Sequence, residues 1–388
     1  MIVSIISGEE YMENNIGLRG KFGVKKKVFI SIVTIFAIGG VITNFLSEKT
    51  ETPPEQIENL DLTKSENRFY LSDMKYKENM GKVVKPYIQK YLTKGTFNGF
   101  QNVSLYYVQY KNPEERGKIV IQHGFTENVE KYEEVIYYFL KAGYSVYAMD
   151  LRGHGYSERE IDDISKIYVE HFSDYVEDLK CFMDQIVTKE EEGKPCFLYA
   201  HSMGGGVGAY FLETYPNYFK AAVLTAPMME IECGDYPEKV AETIAGIMDM
   251  MGRGKEYIWG QGPFSADYHF EKSSCGTEER YKYFLNMKKE HTEYQTHSGT
   301  FTWLKTSIAA THRITSKEYA SKIESPVLLF QAENDMMVKR SGQYRFAKNS
   351  EQTQLIFVKD ARHEIYTMES KIRIPYFNTI FEFLEKNL

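Results

Sequence analysis

Short apolar segments recur along this chain, and longer spans with helical spacing separate most of them. The first two segments are close enough to form a hairpin, while later ones are separated by helical spans such as 132–142 and 173–189. Parallel strands need crossovers of this kind, so the pattern predicts a mostly parallel sheet of about eight strands with helices on both faces. A functional site is then expected at the carboxyl edge of the sheet. The predicted strands are 97–100, 103–110, 118–122, 145–149, 195–199, 221–225, 326–331 and 354–358.

Ser202 is the candidate nucleophile. It lies in Ala-His-Ser-Met-Gly at 200–204, directly after the predicted strand 195–199 and before a predicted helix from Gly205 to Tyr215. Small residues fit a sharp turn in which the strand and helix backbones pass close together and the hydroxyl is exposed above the sheet. Such a string also occurs by chance, so the interpretation requires a base, an acid and an oxyanion hole elsewhere in the chain.

A base and an acid follow two later strands. His363 lies in the loop after strand 354–358, and Asp335 lies just beyond strand 326–331. Glu333 is two residues from Asp335 and is the alternative acid. The order serine, aspartate, histidine is the one expected of α/β-hydrolases and differs from the orders in chymotrypsin and subtilisin.

Four motifs together resemble the branch of the α/β-hydrolases that contains serine aminopeptidase-like proteins, monoacylglycerol lipases and lysophospholipases. The resemblance extends from about residue 96 to the C-terminus, and alanine at 200 replaces the glycine of many members. It implies an α/β-hydrolase fold, a triad of Ser202, Asp335 and His363, and an oxyanion hole built from the backbone amides of Phe125 and Met203. The motifs are His-Gly-Phe-Thr-Glu at 123–127, Asp-Leu-Arg-Gly-His-Gly-Tyr-Ser at 150–157, Ala-His-Ser-Met-Gly-Gly at 200–205 and Ala-Arg-His-Glu at 361–364.

The remaining histidines and the cysteines do not suggest a cofactor. His154 and His201 are interpreted as structural, because one lies in a glycine-rich turn and the other precedes the serine. The other histidines and the four cysteines show no metal-ligand spacing, so neither a metal nor a cofactor is expected. A formal net charge of −7 argues against nucleic acid as a partner.

The span 229–317 is predicted to be a lid, because it is far longer than an ordinary connection between strands. Met228, Met229 and Trp259 are candidate substrate-binding residues, since methionine and aromatic side chains can line an adaptable acyl pocket. The alternative is that these side chains only pack the lid helices against the core. A lid of this kind, together with the resemblance, favours a lipid ester substrate.

The N-terminal region predicts a membrane anchor. Residues 28–46 are uncharged and mostly apolar, and a cluster of basic residues precedes them. The length and the charge asymmetry predict one transmembrane helix in the cell membrane, with the catalytic domain on the extracytoplasmic side. A cleaved signal peptide is the alternative. The predicted organisation is a basic segment 1–27, an anchor 28–46, a linker 47–65, a first core part 66–228, a lid 229–317 and a second core part 318–388.

These features leave three functions open. The first is a serine hydrolase that cleaves carboxylic esters of monoacyl lipids, either lysophospholipids or monoacylglycerols, through an acyl-enzyme on Ser202. The second is a transacylase that passes the same acyl group to an acceptor. The third is a catalytically inactive binding protein on a hydrolase fold.

Overall fold

The strands of the computed structural model form one large sheet and one small one. The structure describes residues 51–188, 193–234 and 236–388. Within these ranges the strands are β1 (Glu58–Asn59), β2 (Leu92–Asn98), β3 (Ser104–Tyr110), β4 (Lys118–Gln122), β5 (Ser145–Met149), β6 (Lys166–Ile167), β7 (Cys196–His201), β8 (Ala221–Thr225), β9 (Ser298–Gly299), β10 (Val327–Asn334) and β11 (Thr353–Arg362).

The large sheet has nine described strands in the order β1-β11-β10-β8-β7-β4-β5-β3-β2. The pairs from β1 to β5 are parallel, while β3 is antiparallel to both of its neighbours. Every residue of β4, β5, β7 and β8 is buried, as expected for parallel strands covered on both faces. The predicted, mostly parallel sheet is therefore confirmed.

Helices cover the sheet on both faces. Alternate residues of β4 point to opposite faces, with Val120 in one hydrophobic core and Ile119 and Ile121 in the other. The α-helices are α1 (Tyr76–Asn79), α2 (Lys85–Ile88), α3 (Glu133–Lys141), α4 (Ser173–Phe182), α5 (Met203–Thr214), α6 (Glu238–Met250), α7 (Glu278–Glu290), α8 (Phe301–Ile314), α9 (Lys317–Ala320), α10 (Arg340–Asn349) and α11 (Ser370–Lys386). The first core packs on α4, α5 and α8, and the second on α3 and α11.

The predicted strands agree with the sheet except at its edges and ends. β4, β5 and β8 have the predicted bounds, whereas β2 begins five residues before the predicted 97–100. The edge strand β1 was not predicted, because Glu58 and Asn59 are polar and exposed. They pair with β11 through their backbone, and the Glu58 carboxylate also accepts a hydrogen bond from the Gln354 side chain at 2.9 Å. It lies within the span predicted as a linker.

The span 229–317 contains helices α6, α7 and α8. It also contains β9, which pairs in parallel with β6 and was not predicted. Backbone hydrogen bonds between β6 and β9 therefore join this span to the segment after β5, in addition to side-chain packing.

The predicted transmembrane architecture requires correction. In the described ranges no helix combines the length and apolar character needed to cross a membrane. The longest of these helices, α11, has 17 residues and contains charged side chains, and it would span only about 25 Å of a hydrocarbon core about 30 Å thick. The predicted anchor 28–46 and the basic segment 1–27 lie outside the described residues. The structure supports the α/β fold but not the transmembrane helix, the membrane attachment or the extracytoplasmic location expected from the sequence.

Candidate active site

Ser202 lies at a tight turn between β7 and α5. Its φ and ψ are 53° and −120°, a conformation that costs a non-glycine residue about 1–3 kcal/mol. Three backbone hydrogen bonds hold it there: its N–H donates to Thr225, and its carbonyl accepts from Gly206 and Met228. This network fixes the strained turn and places the hydroxyl at the carboxyl edge of the sheet.

The turn also requires a very close approach between α5 and β4. A Cβ at Gly204 would lie 2.4 Å from the carbonyl oxygens of Gln122 and His123. Only a residue without a side chain fits at this distance, which explains the small residue two positions after the serine.

Asp335, His363 and Ser202 form a continuous chain of hydrogen bonds. His363 Nδ1 is 2.7 Å from Asp335 Oδ2, and His363 Nε2 is 2.8 Å from Ser202 Oγ. Because the carboxylate can only accept, Nδ1 carries the proton and Nε2 accepts from the serine hydroxyl. The structure thus brings the three predicted triad residues together from three separate loops.

The alternative acid, Glu333, does not contact the histidine. Its side chain accepts a hydrogen bond from the Asp360 N–H at 2.8 Å, and its carbonyl accepts from Arg340. The other oxygen of Asp335 accepts from the amides of Met337 and Val338, so both oxygens of that carboxylate are fixed.

The two ionisable partners shift each other's pKa in opposite directions. Burial alone would raise the pKa of Asp335, but the charge of His363 and the hydrogen bonds from His363 and two backbone amides lower it. Burial alone would lower the pKa of His363, but the Asp335 charge and hydrogen bond outweigh burial and raise it, with smaller contributions from Glu364 and Glu127. The carboxylate is therefore charged at neutral pH and stabilises the imidazolium that forms when the serine loses its proton.

The predicted oxyanion amides lie on either side of the serine. Met203 follows Ser202 as the first residue of α5, and a Cβ at Gly124 would lie 3.0 Å from Ser202 Cβ, so the Gly124–Phe125 loop packs directly on the nucleophile. Within the described ranges, the Phe125 and Met203 amides donate to no other protein group. Both donors are available for an oxygen bound beside the serine.

A buried charge cluster links the two loops of the site, and the sequence analysis did not identify it. Glu127 accepts hydrogen bonds from the Gly124 amide at 2.7 Å, Lys131 Nζ at 2.7 Å and the Tyr366 hydroxyl at 2.9 Å. Lys131 Nζ also lies 2.8 Å from a carboxylate oxygen of Glu364, the residue after His363. We call Glu127, Lys131 and Glu364 the bridging cluster. The signal available in the sequence was only that two of its carboxylates lie inside the quoted motifs.

The predicted substrate-binding residues have different environments. Met228 and Met229 are buried in the core, and the Met228 N–H donates to the Ser202 carbonyl at 2.8 Å. Trp259 is half-buried and packs edge-on against Phe301 at 5.6 Å. The aromatic ring that lies next to the oxyanion loop is instead Trp303, whose ring centroid is 4.3 Å from that of Phe125. Position 303 was not assigned a role from the sequence.

The nearby histidines are buried and make structural contacts. His201 Nδ1 lies 3.1 Å from the Thr225 carbonyl, and burial lowers the pKa of His201 to about 3. His123 accepts from the Leu151 N–H at 2.9 Å, and burial lowers its pKa to about 4. His154 Nδ1 contacts the Arg152 carbonyl. None of the three contacts the serine hydroxyl, in contrast to His363.

Comparison with known proteins gives a consistent result for sequence and fold. A family model described as serine aminopeptidase, S33, matches residues 113–371. A probable lysophospholipase L2 of Haemophilus influenzae is 27% identical over 303 residues, which cover 77% of this chain and 94% of that protein. A monoacylglycerol lipase of Mycolicibacterium smegmatis is 31% identical over 160 residues, which cover 41% of this chain and 54% of that protein.

A solved structure with a similar fold is a thermostable carboxyl esterase from Bacillus coagulans in complex with glycerol. The TM-score is 0.63 at 17% identity, and the match covers 76% of this chain and 98% of that one. The fold expected from the sequence motifs is therefore confirmed. Because the family model spans most of the chain and includes Ser202, Asp335 and His363, the chain belongs to the serine aminopeptidase S33 family of α/β-hydrolases.

Proposed function

We propose that this protein is a serine hydrolase that cleaves the carboxylic ester of monoacyl lipids, with Ser202 as nucleophile, His363 as general base and Asp335 as the acid of the triad. The observation behind the proposal is the unbroken chain of hydrogen bonds from Asp335 through His363 to Ser202. A serine hydroxyl becomes nucleophilic only when a neighbouring base takes its proton, and this geometry provides one.

Acylation follows from the positions of these groups. Ser202 Oγ attacks the ester carbonyl while His363 Nε2 accepts its proton, and Asp335 stabilises the resulting imidazolium. The Phe125 and Met203 amides donate to the carbonyl oxygen as negative charge develops on it, and each such donor is worth about 3–4 kcal/mol of barrier. His363 then protonates the departing glycerol oxygen, which leaves the acyl group on Ser202.

Deacylation repeats the sequence with water. His363 removes a proton from water, the hydroxyl attacks the acyl-enzyme, and the fatty acid leaves as Ser202 regains its proton. An acceptor alcohol in place of water would transfer the acyl group, so the products distinguish hydrolysis from transacylation.

The substrate class rests on the relatives and on the surroundings of the serine. The matched proteins are named as a lysophospholipase and a monoacylglycerol lipase, and both names imply an ester with one acyl chain. Phe125 and Trp303 provide an aromatic wall beside the oxyanion amides, and Met228 and Met229 lie in the same core. Apolar and aromatic walls of this kind suit an acyl chain.

The test measures fatty acid release from three substrates with the same acyl chain: lysophosphatidylcholine, lysophosphatidylethanolamine and monoacylglycerol. The unaltered protein should release fatty acid from at least one of them, and a fluorophosphonate probe should label it. Ser202→Ala should lose both turnover and labelling. Ser307→Ala is the matched control, since Ser307 is also buried but lies in α8 away from the triad.

Three results would count against the proposal. Turnover that survives in Ser202→Ala removes this serine from the reaction. Accumulation of diacyl products in place of free acid favours the transacylase. Absence of turnover on all three lipids, together with absence of labelling, favours the inactive binding protein.

A further inference from the structure

The bridging cluster connects the loop that carries the oxyanion amides to the loop that carries His363. The Glu127 side chain turns back on its own loop and accepts the Gly124 N–H, one residue before the oxyanion donor Phe125. Through Lys131 the same carboxylate is joined to Glu364, one residue after the general base. Two loops distant in sequence are thereby connected by three side chains.

Glu127 is buried and its carboxylate is fully occupied. The residue is 5% exposed, and its two oxygens accept from the Gly124 amide, Lys131, the Tyr132 hydroxyl at 2.6 Å and the Tyr366 hydroxyl at 2.9 Å. Burial alone would raise the pKa of Glu127, but the charge of Lys131, a smaller contribution from His201 and the hydrogen bonds from Lys131 and Tyr132 hold it well below its usual range. A buried carboxylate with four donors is rigid as well as charged, because each bond restricts a different direction of movement.

A contribution to folding stability does not explain a buried cluster of two carboxylates and one lysine. Buried ion pairs are often no more stabilising than well-packed apolar side chains of similar volume, since desolvation offsets the attraction. Their better-supported use is to specify one arrangement of the groups around them. In this structure the groups that the cluster joins by hydrogen bonds and ion pairs are the oxyanion loop and the histidine loop, while Phe284 of α7 packs over Lys131 at 5.2 Å.

We propose that Glu127, linked through Lys131 to Glu364, is a positioning residue. It keeps the Phe125 amide and His363 at fixed positions relative to each other around Ser202. The inference rests on the proposed function, because it assigns a role in the same acyl transfer. Glu127 does not contact the ester; it acts through the Gly124 amide on one side and through Lys131 and Glu364 on the other.

The principal test is the steady-state kinetics of Glu127→Gln on a monoacyl ester over a range of pH. The plateau kcat should fall roughly 10- to 100-fold, while KM should change little, because a misplaced oxyanion donor affects the transition state more than the bound substrate. Glu213→Gln is the matched control. Glu213 is also 5% exposed and also pairs with one cation, Arg313, at 2.6 Å, but it lies towards the far end of α5. Burial raises the pKa of Glu213 to about 8, so the amide is a close substitute there, and kcat should be nearly unchanged.

A second pair of variants covers the case in which Glu127→Gln does not fold. Lys131→Arg keeps the cation between the two carboxylates, whereas Lys131→Met removes it and leaves both carboxylates buried. We expect Lys131→Arg to retain most of kcat and Lys131→Met to lose it, with fluorophosphonate labelling of Ser202 slowed to a similar extent.

The outcomes separate this inference from the proposed function. If the unaltered protein hydrolyses a monoacyl ester and Glu127→Gln has the same plateau kcat, the positioning role is refuted while the hydrolase remains. A loss of kcat that disappears completely at another pH also refutes it, since that result reports only a changed pKa of His363. Loss of kcat in Glu213→Gln equal to that in Glu127→Gln would assign the effect to stability. If the unaltered protein hydrolyses no ester and is not labelled, the proposed function fails and this inference fails with it.

Discussion

The nucleophile turn depends on the absence of a side chain at Gly204. A methyl group there would lie 2.4 Å from two backbone carbonyl oxygens, those of Gln122 and His123. Carbon and oxygen atoms in contact are normally about 3.3–3.6 Å apart, so Gly204→Ala requires a backbone shift of about 1 Å. The obstacle is the end of β4, which is paired on both sides within the sheet. The movement must therefore come from the start of α5 and the serine turn.

This shift has a cost in stability and a larger one in activity. Overpacking of this kind typically costs about 1–3 kcal/mol, and two simultaneous backbone contacts place Gly204→Ala near the upper end. A displacement of about 1 Å at a reacting group can reduce the rate about 100-fold. We therefore expect the free energy of unfolding to fall by about 2–3 kcal/mol and kcat/KM for ester hydrolysis to fall by about two orders of magnitude.

Gly246 provides the matched control for this substitution. It lies inside α6, and a Cβ there would meet no heavy atom within 4 Å. Gly246→Ala should stabilise the protein by about 0.5–1 kcal/mol, because alanine has less conformational freedom to lose in a helix, and it should leave kcat/KM unchanged. Urea denaturation followed by fluorescence, combined with ester hydrolysis, measures both effects. If Gly204→Ala has the same free energy of unfolding and the same kcat/KM as the unaltered protein, the argument from close approach is wrong.

Three further predictions concern the triad and the acyl path. Asp335→Asn should reduce kcat by roughly 10⁴-fold, whereas Glu333→Gln should change it only slightly; a larger loss in the second variant would transfer the acid role. In Glu364→Gln the pKa of His363 should fall, because the lost negative charge contributes to raising it. Since His363 must be neutral to act as base, the acid limb of kcat/KM should move to lower pH, and a shift to higher pH would contradict this assignment. Trp303→Ala should reduce kcat/KM roughly tenfold more for long-chain than for short-chain esters, and equal losses would remove Trp303 from the acyl path.

The interior of the sheet could be predicted from the sequence because burial on both faces leaves a direct compositional signal. Segment 221–225 is almost wholly apolar and segment 118–122 has an apolar centre of three β-branched residues, and the observed strands have these bounds. The edge strand β1 has no such signal, since Glu58 and Asn59 are polar and exposed and pair with β11 through their backbone. Edge strands of this kind are determined by their neighbours and not by their own composition.

The end of β11 shows how tertiary structure changes a local expectation. The predicted strand ended at residue 358, but β11 continues to Arg362 through an irregular step in its pairing with β10. Within this step Asp360 adopts a φ of 60°. Irregular steps of this type often lie beside active sites, where they redirect the chain. Here the step precedes His363 and brings it to the carboxyl edge opposite Ser202.

The identity of the acid could not be settled by sequence position, because Glu333 and Asp335 both follow the same buried strand. What distinguishes the two side chains is the set of hydrogen bonds that each makes in the folded chain. The short side chain of Asp335 accepts from the Met337 and Val338 amides with one oxygen and leaves the other for His363. The longer side chain of Glu333 reaches across to the Asp360 amide in β11, so it supports the irregular step that presents the histidine. Both carboxylates therefore help to position the His363 imidazole. Only Asp335, which two amides of its own turn hold in place, contacts the ring.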